Sequence, residues 1–272
     1  MSDVLVEFAG GVRTLTLHRP EKKNALTPVM QEELIAALEG VRDASASPET
    51  RVVVLRGAGG AFCSGLDLDV LRQMQDASAE TLRTDAARTA RMFRSLAECP
   101  VPTIAAVEGV AVAGGAGLAT IADFTLLARD AKLGYTEARI GFVPALVSAY
   151  LQLQVGEKVA RGLLLSARLV DAAEALRLGL ASEVVEDVAA RAAEVAAELM
   201  RNSPQSLYGT KKLLRAQQAA WLETALALAE TANAEARETS DFREGVRAFA
   251  EKRRPSWVAP GEPQMPSRKC GG

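Results

Sequence analysis

Val107-Glu108-Gly109-Val110-Ala111-Val112-Ala113-Gly114-Gly115-Ala116-Gly117-Leu118-Ala119 carries a strand into a run of small residues and then into a helix. N–H groups at a helix start lack intrahelical acceptors, so they favour an anion or a developing oxyanion. Small residues also serve close helix packing, and taken alone the segment fits that use slightly better. Two nucleotide motifs fail on it. A P-loop needs lysine directly after its glycines, and Gly114-Gly115-Ala116 has none. A dinucleotide fingerprint starting at Gly115-Ala116-Gly117 would need a third glycine where Thr120 stands.

Upstream, Thr103-Ile104-Ala105-Ala106-Val107 reads as a buried strand, and Pro100 and Pro102 separate it from a helical stretch over about Glu80 to Glu98. Val52-Val53-Val54-Leu55 is another apolar run of the kind buried on both faces. Ala61-Phe62-Cys63-Ser64-Gly65-Leu66-Asp67-Leu68 follows it closely. Gly65 can turn the chain where other residues cannot, and the N–H groups of that turn can face a cleft. On its own, a glycine turn after a strand is most often only a turn. At the N-terminus, Val4 to Phe8 and the alternating Val12 to Leu17 flank Gly10-Gly11, a hairpin pattern. Thr27-Pro28 has the form of a helix N-cap with proline in the first turn, and Leu34, Ile35 and Leu38 give that helix its apolar face.

Downstream, Phe124-Thr125-Leu126-Leu127-Ala128 is a further buried strand. Gly134-Tyr135-Thr136-Glu137-Ala138-Arg139-Ile140-Gly141-Phe142-Val143-Pro144 then places Glu137 in a short polar gap between apolar residues. A carboxylate between apolar walls has a raised pKa and can exchange protons near neutral pH. The plainer alternatives are a solvated glutamate or one paired with Arg139. After about Pro144 the pattern is mostly helical, with a capping-box form at Asp171-Ala172-Ala173-Glu174. Ser203-Pro204 opens another helix, with Leu207, Leu213, Leu214, Trp221 and Leu222 available for packing. A last helix runs from near Ser240 to Arg253. The order predicts an α/β protein with a core over 1–200, a helical region over 201–254 and a flexible tail over 255–272. The helical region either covers the site or buries its apolar faces against another subunit.

Composition excludes several classes. The 272 residues carry 32 Lys and Arg against 34 Asp and Glu, a net charge of −2, so no nucleic-acid partner is expected. Cys63, Cys99 and Cys270 are far apart, which argues against a zinc site or disulfide framework and for a reducing, cytoplasmic compartment. No metal is expected. The N-terminus does not read as a signal peptide, and charges interrupt every apolar run before it could span a bilayer. With His18 as the one histidine, at a strand end, an H-E-x-x-H site cannot be built, and a serine triad would have to use His18 although no G-x-S-x-G elbow appears.

The three central segments together resemble the crotonase family, also called the enoyl-CoA hydratase/isomerase family. The resemblance covers roughly residues 4 to 254. It begins at Arg19-Pro20-Glu21-Lys22-Lys23-Asn24-Ala25-Leu26 and closes with Glu244-Gly245-Val246-Arg247-Ala248-Phe249 and Glu251-Lys252-Arg253-Arg254-Pro255. It implies a spiral of ββα units with a helical C-terminal trimerisation region. It also implies a homotrimer or dimer of trimers, an acyl-CoA substrate and no cofactor. Segment by segment, the N–H groups of Leu66 and Gly114 become the oxyanion donors, and Glu137 becomes the catalytic carboxylate. Gly65, Gly115, Gly117 and Tyr135 complete the substrate-facing set. Adenine falls near the backbone of Ala25 and Ala61. Lys22, Lys23 and either Lys252 or Arg253 are candidates for the CoA phosphates, the alternative being a solvated charged surface.

One departure matters. Family hydratases commonly carry a second glutamate in the helix after the glycine run, and that position is Gly117 here. Three readings follow. A hydratase would use Glu137 as both base and acid. A 3-enoyl-CoA to 2-enoyl-CoA isomerase needs only one base. A non-catalytic CoA-ester or RNA-binding relative would bind without turnover.

Overall fold

The computed structural model describes residues 2–41 and 49–259. β1 (Val4–Ala9) and β2 (Val12–Leu17) form the hairpin, antiparallel, around Gly10 and Gly11, both at positive φ. Thr27 caps α1 (Pro28–Glu39), its hydroxyl accepting from the Met30 N–H at 3.0 Å. The helix buries Met30, Leu34, Ile35 and Leu38. Full burial of each such side chain is worth about 1.5–3 kcal/mol.

β3 (Val52–Gly57), β4 (Thr103–Val107), β6 (Phe124–Ala128) and β9 (Glu183–Val185) extend the hairpin into a six-stranded sheet of order β1-β2-β3-β4-β6-β9. Every pairing after the hairpin is parallel. β5 (Val110–Val112), β7 (Lys132–Gly134) and β8 (Leu169–Asp171) make a second sheet, of order β5-β7-β8. The chain therefore passes from one sheet to the other and back: β4 to β5, β6 to β7 and β8, then β9. α2 (Leu68–Gln73), α3 (Ala79–Ala97), α4 (Gly114–Ile121), α5 (Ala145–Ser166), α6 (Ala172–Leu178) and α7 (Val188–Met200) fill the connections. That alternation is the spiral path expected of a crotonase-like fold.

The strands of the smaller sheet and β9 fall outside the sequence reading, and the span after Pro144 is less purely helical than expected. β5, β7, β8 and β9 are three residues each, too short for a period of two to show. The capping box at Asp171 is half formed. Asp171 accepts from the Glu174 N–H at 2.8 Å, but the Glu174 carboxylate turns to Arg168.

The C-terminal helices are α8 (Pro204–Ala236) and α9 (Ser240–Ala250). Lys211 fixes α8 to the core through Asp123 and the Val101 carbonyl. Only the end of α8 is buried, at Leu226, Ala229, Asn233, Ala234 and Ala236. Leu213, Leu214 and Trp221, available for packing, are 59%, 53% and 42% exposed in the chain by itself. α9 closes on the Glu137 segment. A Cβ on Gly245 would stand 2.3 Å from Ile140 backbone, and one on Gly141 would stand 2.3 Å from the Asp241 carbonyl. α9 therefore packs directly on the Glu137 segment, while apolar side chains on α8 point outward. Of the expected tail, residues 260–272, with Cys270, lie outside the described residues.

Candidate active site

The site forms where three segments meet at the smaller sheet. Cys63 bridges Ala111 of β5, with its N–H on the Val110 carbonyl at 3.0 Å and its own carbonyl accepting from Val112. β5 pairs on its other side with β7, Val112 opposite Gly134. Gly65 lies two residues beyond Cys63, Gly114 two beyond Val112 and Glu137 three beyond Gly134, so strand pairing brings the three chemical segments together.

Gly65 takes φ +85°, a turn that disfavours any side chain, and a Cβ there would lie 3.1 Å from the Val112 carbonyl and 3.9 Å from the Gly114 nitrogen. The two donor segments are thus in direct apposition. The Leu26 N–H and carbonyl hold the residues flanking Leu66, bonding the Gly65 carbonyl at 2.8 Å and the Asp67 N–H at 3.0 Å. This pairing leaves the Leu66 N–H itself unused. Ala113 is strained at φ +51°, ψ −123°, a region non-glycine residues rarely adopt. Its N–H bonds the Gly134 carbonyl at 2.8 Å. This turn starts α4 at Gly114, whose N–H has no intrahelical acceptor.

The other two glycines are packing residues. A Cβ on Gly115 would meet the Cys63 carbonyl at 2.4 Å. One on Gly117 would meet Val147 Cγ1 at 2.7 Å and Phe93 Cε1 at 2.9 Å. The position of the second family glutamate is therefore closed by two apolar side chains from α5 and α3. Nothing in the sequence spacing points to Phe93 or Val147, because both come from distant helices.

Glu137 begins a 3-10 turn (Glu137–Ile140) and is buried, with Oε2 lacking any hydrogen-bond partner. Burial pushes its pKa up to about 7, against a smaller lowering by its own backbone N–H. It forms no ion pair with Arg139 among the described residues, so neither plainer reading of this glutamate holds. Tyr135 is fully buried; its hydroxyl is 3.0 Å from the Thr120 hydroxyl, and burial raises its pKa. It braces the Glu137 segment against α4.

The CoA-side candidates lie on two interlocked loops. Asn24, missed by the sequence reading, is fully buried and at positive φ. Its amide donates to the Ala58 and Ala61 carbonyls at 2.9 and 2.7 Å, and its oxygen accepts from the Arg19 N–H at 2.9 Å. Arg19 in turn bonds the Ala25 carbonyl at 2.8 Å and Asp67 at 2.9 Å. Ala25 and Ala61 are thus held rigidly, each carbonyl keeping one lone pair. Lys23 sits at positive φ with its carbonyl accepting from the Ser64 N–H. Lys22 is half exposed beside Asp69 at 3.4 Å, a surface pair that costs little to open. Arg253 is forked onto Glu244 at 2.6 and 2.9 Å, while Lys252 sits at positive φ just after α9. His18 follows β2 directly, its backbone N–H bonded to the Asp3 carbonyl.

Residues 7–260 match the family model described as Enoyl-CoA hydratase/isomerase. The chain belongs to the enoyl-CoA hydratase/isomerase family. A Thermus thermophilus protein named "Putative enoyl-CoA hydratase" is 46% identical over 90% of this chain and 97% of its own length. The 1,2-epoxyphenylacetyl-CoA isomerase of Escherichia coli is 33% identical over 95% and 99%. Among solved structures, an enoyl-CoA hydratase/isomerase from Mycobacterium paratuberculosis superposes with a TM-score of 0.85 at 27% identity, covering 91% of this chain and 98% of that one. The crotonase-like fold follows from these similarities and from the alternating sheets. Among the described residues no group of three His, Cys, Asp or Glu is placed to hold a metal, and no helix is long and apolar enough to cross a membrane.

Proposed function

We propose that this chain hydrates a 2-enoyl-CoA to a 3-hydroxyacyl-CoA, with Glu137 as its single proton carrier. The observation that carries the reading is the Glu137 carboxylate: buried, unpartnered at Oε2, with a pKa pushed up to about 7, on a segment that strand pairing brings to the two candidate main-chain donors. The Leu66 and Gly114 N–H groups donate to the thioester oxygen and stabilise the enolate, each donor being worth about 3–4 kcal/mol in a dry site. Ionised Glu137 takes a proton from water as its oxygen bonds C3. The electron pair of the double bond moves to the thioester oxygen. Glu137, now neutral, returns the proton to C2. Water is added in full, and the carboxylate is regenerated.

A second reading rests on Gly117. Its filled surroundings leave one carboxylate, which suffices to move a proton from C2 to C4 of a 3-enoyl-CoA. That isomerase reading shares every residue named above. A purely binding role fits poorly, because an unpartnered buried carboxylate is costly where no chemistry uses it. Neither reading asks for a cofactor beyond the CoA that arrives with the substrate. The exposed Leu213, Leu214, Trp221 and Leu228 of α8 support assembly into trimers, and we keep 201–254 as the oligomerisation and cover region.

The test is turnover of crotonyl-CoA and of a 3-enoyl-CoA, beside Glu137→Gln. Hydration of crotonyl-CoA that disappears in the variant supports the first reading. Reaction of the 3-enoyl-CoA alone replaces it with the second. Turnover of neither, across straight-chain and carboxylated esters, defeats both.

A further inference from the structure

A second apolar cluster, built on Leu71, Met74, Leu82, Phe142, Phe242 and Val246, has Leu66 packed against it. Leu66 carries one of the proposed donors and packs against both this cluster and the main core, so the cluster is one apolar path leading from the thioester carbonyl. A charge borders that path. The Arg237 guanidinium lies over Phe142, its Cζ 5.3 Å from the ring centroid.

Arg237 is fully buried at the end of α8. Its Nη1 donates to Asp85 of α3 at 2.6 Å, while Nε and Nη2 have no acceptor. In a guanidinium the Nε–H and the neighbouring Nη2–H point the same way, a fork spaced for two carboxylate oxygens. The one edge of Arg237 that could grip a carboxylate side-on is the edge left empty. Arg88 also pairs with Asp85, and its Nε too is buried without an acceptor. Two guanidinium groups therefore share one carboxylate, and the cluster keeps one positive charge in excess. A buried donor left unsatisfied costs about 1–3 kcal/mol, more when charged. An idle fork inside an apolar cluster is thus a poor structural device.

Distance agrees. Asp85 and Phe93 stand just over two turns apart on α3, on the order of 12 Å along the axis. Phe93 touches the Gly114 and Gly117 positions. The fork is thus about a medium acyl chain's length from the donors.

We infer that the side-on edge of Arg237 receives a carboxylate at the far end of the acyl chain, so that the preferred substrates are CoA monothioesters of medium-length dicarboxylic acids. The inference rests on the acyl-CoA reading above and narrows its substrate class. The competing account makes the Arg237–Asp85 pair only a latch between α8 and α3.

Calorimetric binding of suberyl-CoA and octanoyl-CoA separates the two. These saturated esters match in length and differ in a carboxylate or a methyl end. The wild-type protein should bind suberyl-CoA roughly ten- to a hundredfold more tightly, and Arg237→Met should erase that preference. Since that change strands Asp85, Asp85→Asn/Arg237→Met gives the same reading if the single variant does not fold. Equal or tighter binding of octanoyl-CoA by the wild type overturns the inference. So does an equal weakening of both esters in the variant, which is what losing a latch would do. Turnover is read separately. A carboxylate preference without crotonyl-CoA or 3-enoyl-CoA turnover keeps the inference and sinks the reaction, whereas turnover without the preference does the reverse.

Discussion

The oxyanion side of the candidate site is made of main chain, and its proton-transfer side is made of one side chain. At Gly65-Leu66 and Ala113-Gly114 the useful groups are N–H bonds fixed by strand pairing, by the Leu26 hydrogen bonds and by a strained Ala113. The Leu66 side chain can vary without moving its N–H, whereas Gly65 cannot take a side chain without strain. At Glu137 the useful group is a carboxylate whose proton affinity is set by burial. The equivalent room at Gly117 is filled by Phe93 and Val147. Electrostatic stabilisation is therefore redundant in sequence terms, and proton transfer is not.

Glu137→Gln should cost most. It removes the proposed sole proton carrier and should lower kcat by roughly 10²–10⁴, with binding of a saturated acyl-CoA largely retained; a smaller loss would mean that a second group shares the work. Gly65→Val should come next. It forces a branched side chain into positive φ and against the Val112 carbonyl, displacing the Leu66 N–H, and a kcat loss of roughly 10²–10³ is expected. If that enzyme stays fast, the donor is not Leu66.

The Glu137 pKa makes a prediction about pH. Its folded value, about 7, lies above the 4.5 of the unfolded chain. The folded state thus holds more protons between those values, and stability falls as pH rises through that window. Replacing Glu137 with Gln should remove the fall, leaving the variant more stable than the wild type at pH 8 by up to about 3 kcal/mol, a difference that vanishes near pH 4. Urea titrations at the two pH values check it. The same ionisation should make wild-type kcat/KM rise with pH to a plateau above about 7, as expected for a base of that pKa.

Gly117→Glu asks whether the missing carboxylate is a matter of space. The overpacked side chain should destabilise the fold by about 1–3 kcal/mol without raising hydration. Adding Val147→Ala should recover part of that stability. A faster hydratase from Gly117→Glu alone would show that the position is open. Leu66→Ala should do least, changing kcat within roughly threefold because the N–H donor stays; its effect belongs on KM, through the lost apolar contact. A large kcat effect there would abolish the contrast between main-chain and side-chain function.

Much of the fold was legible along the chain because its signals are local. The Gly10-Gly11 hairpin, the Thr27 cap and the buried runs of β3, β4 and β6 each declare themselves within a few residues. The three-residue strands did not, since they exist only by pairing with partners far away in sequence. The glycine run could be recognised, but not which glycine does what. Gly114 starts a helix, while Gly115 and Gly117 admit Cys63, Phe93 and Val147 to close contact. Asn24 and Arg237 escaped for the same reason: a buried polar residue in a helix or turn looks like a solvated one until its neighbours are known.

The sequence by itself determined the family and singled out the two candidate donor segments and Glu137, because each is a short run whose residue types are dictated by local backbone and chemistry. Only the tertiary structure decided that Glu137 is unpaired and desolvated, that Gly117 has no room for a second acid, and that α9 closes on the Glu137 turn. Burial, pKa and free volume are properties of what surrounds a residue, and those surroundings arrive from helices and strands far away in the chain.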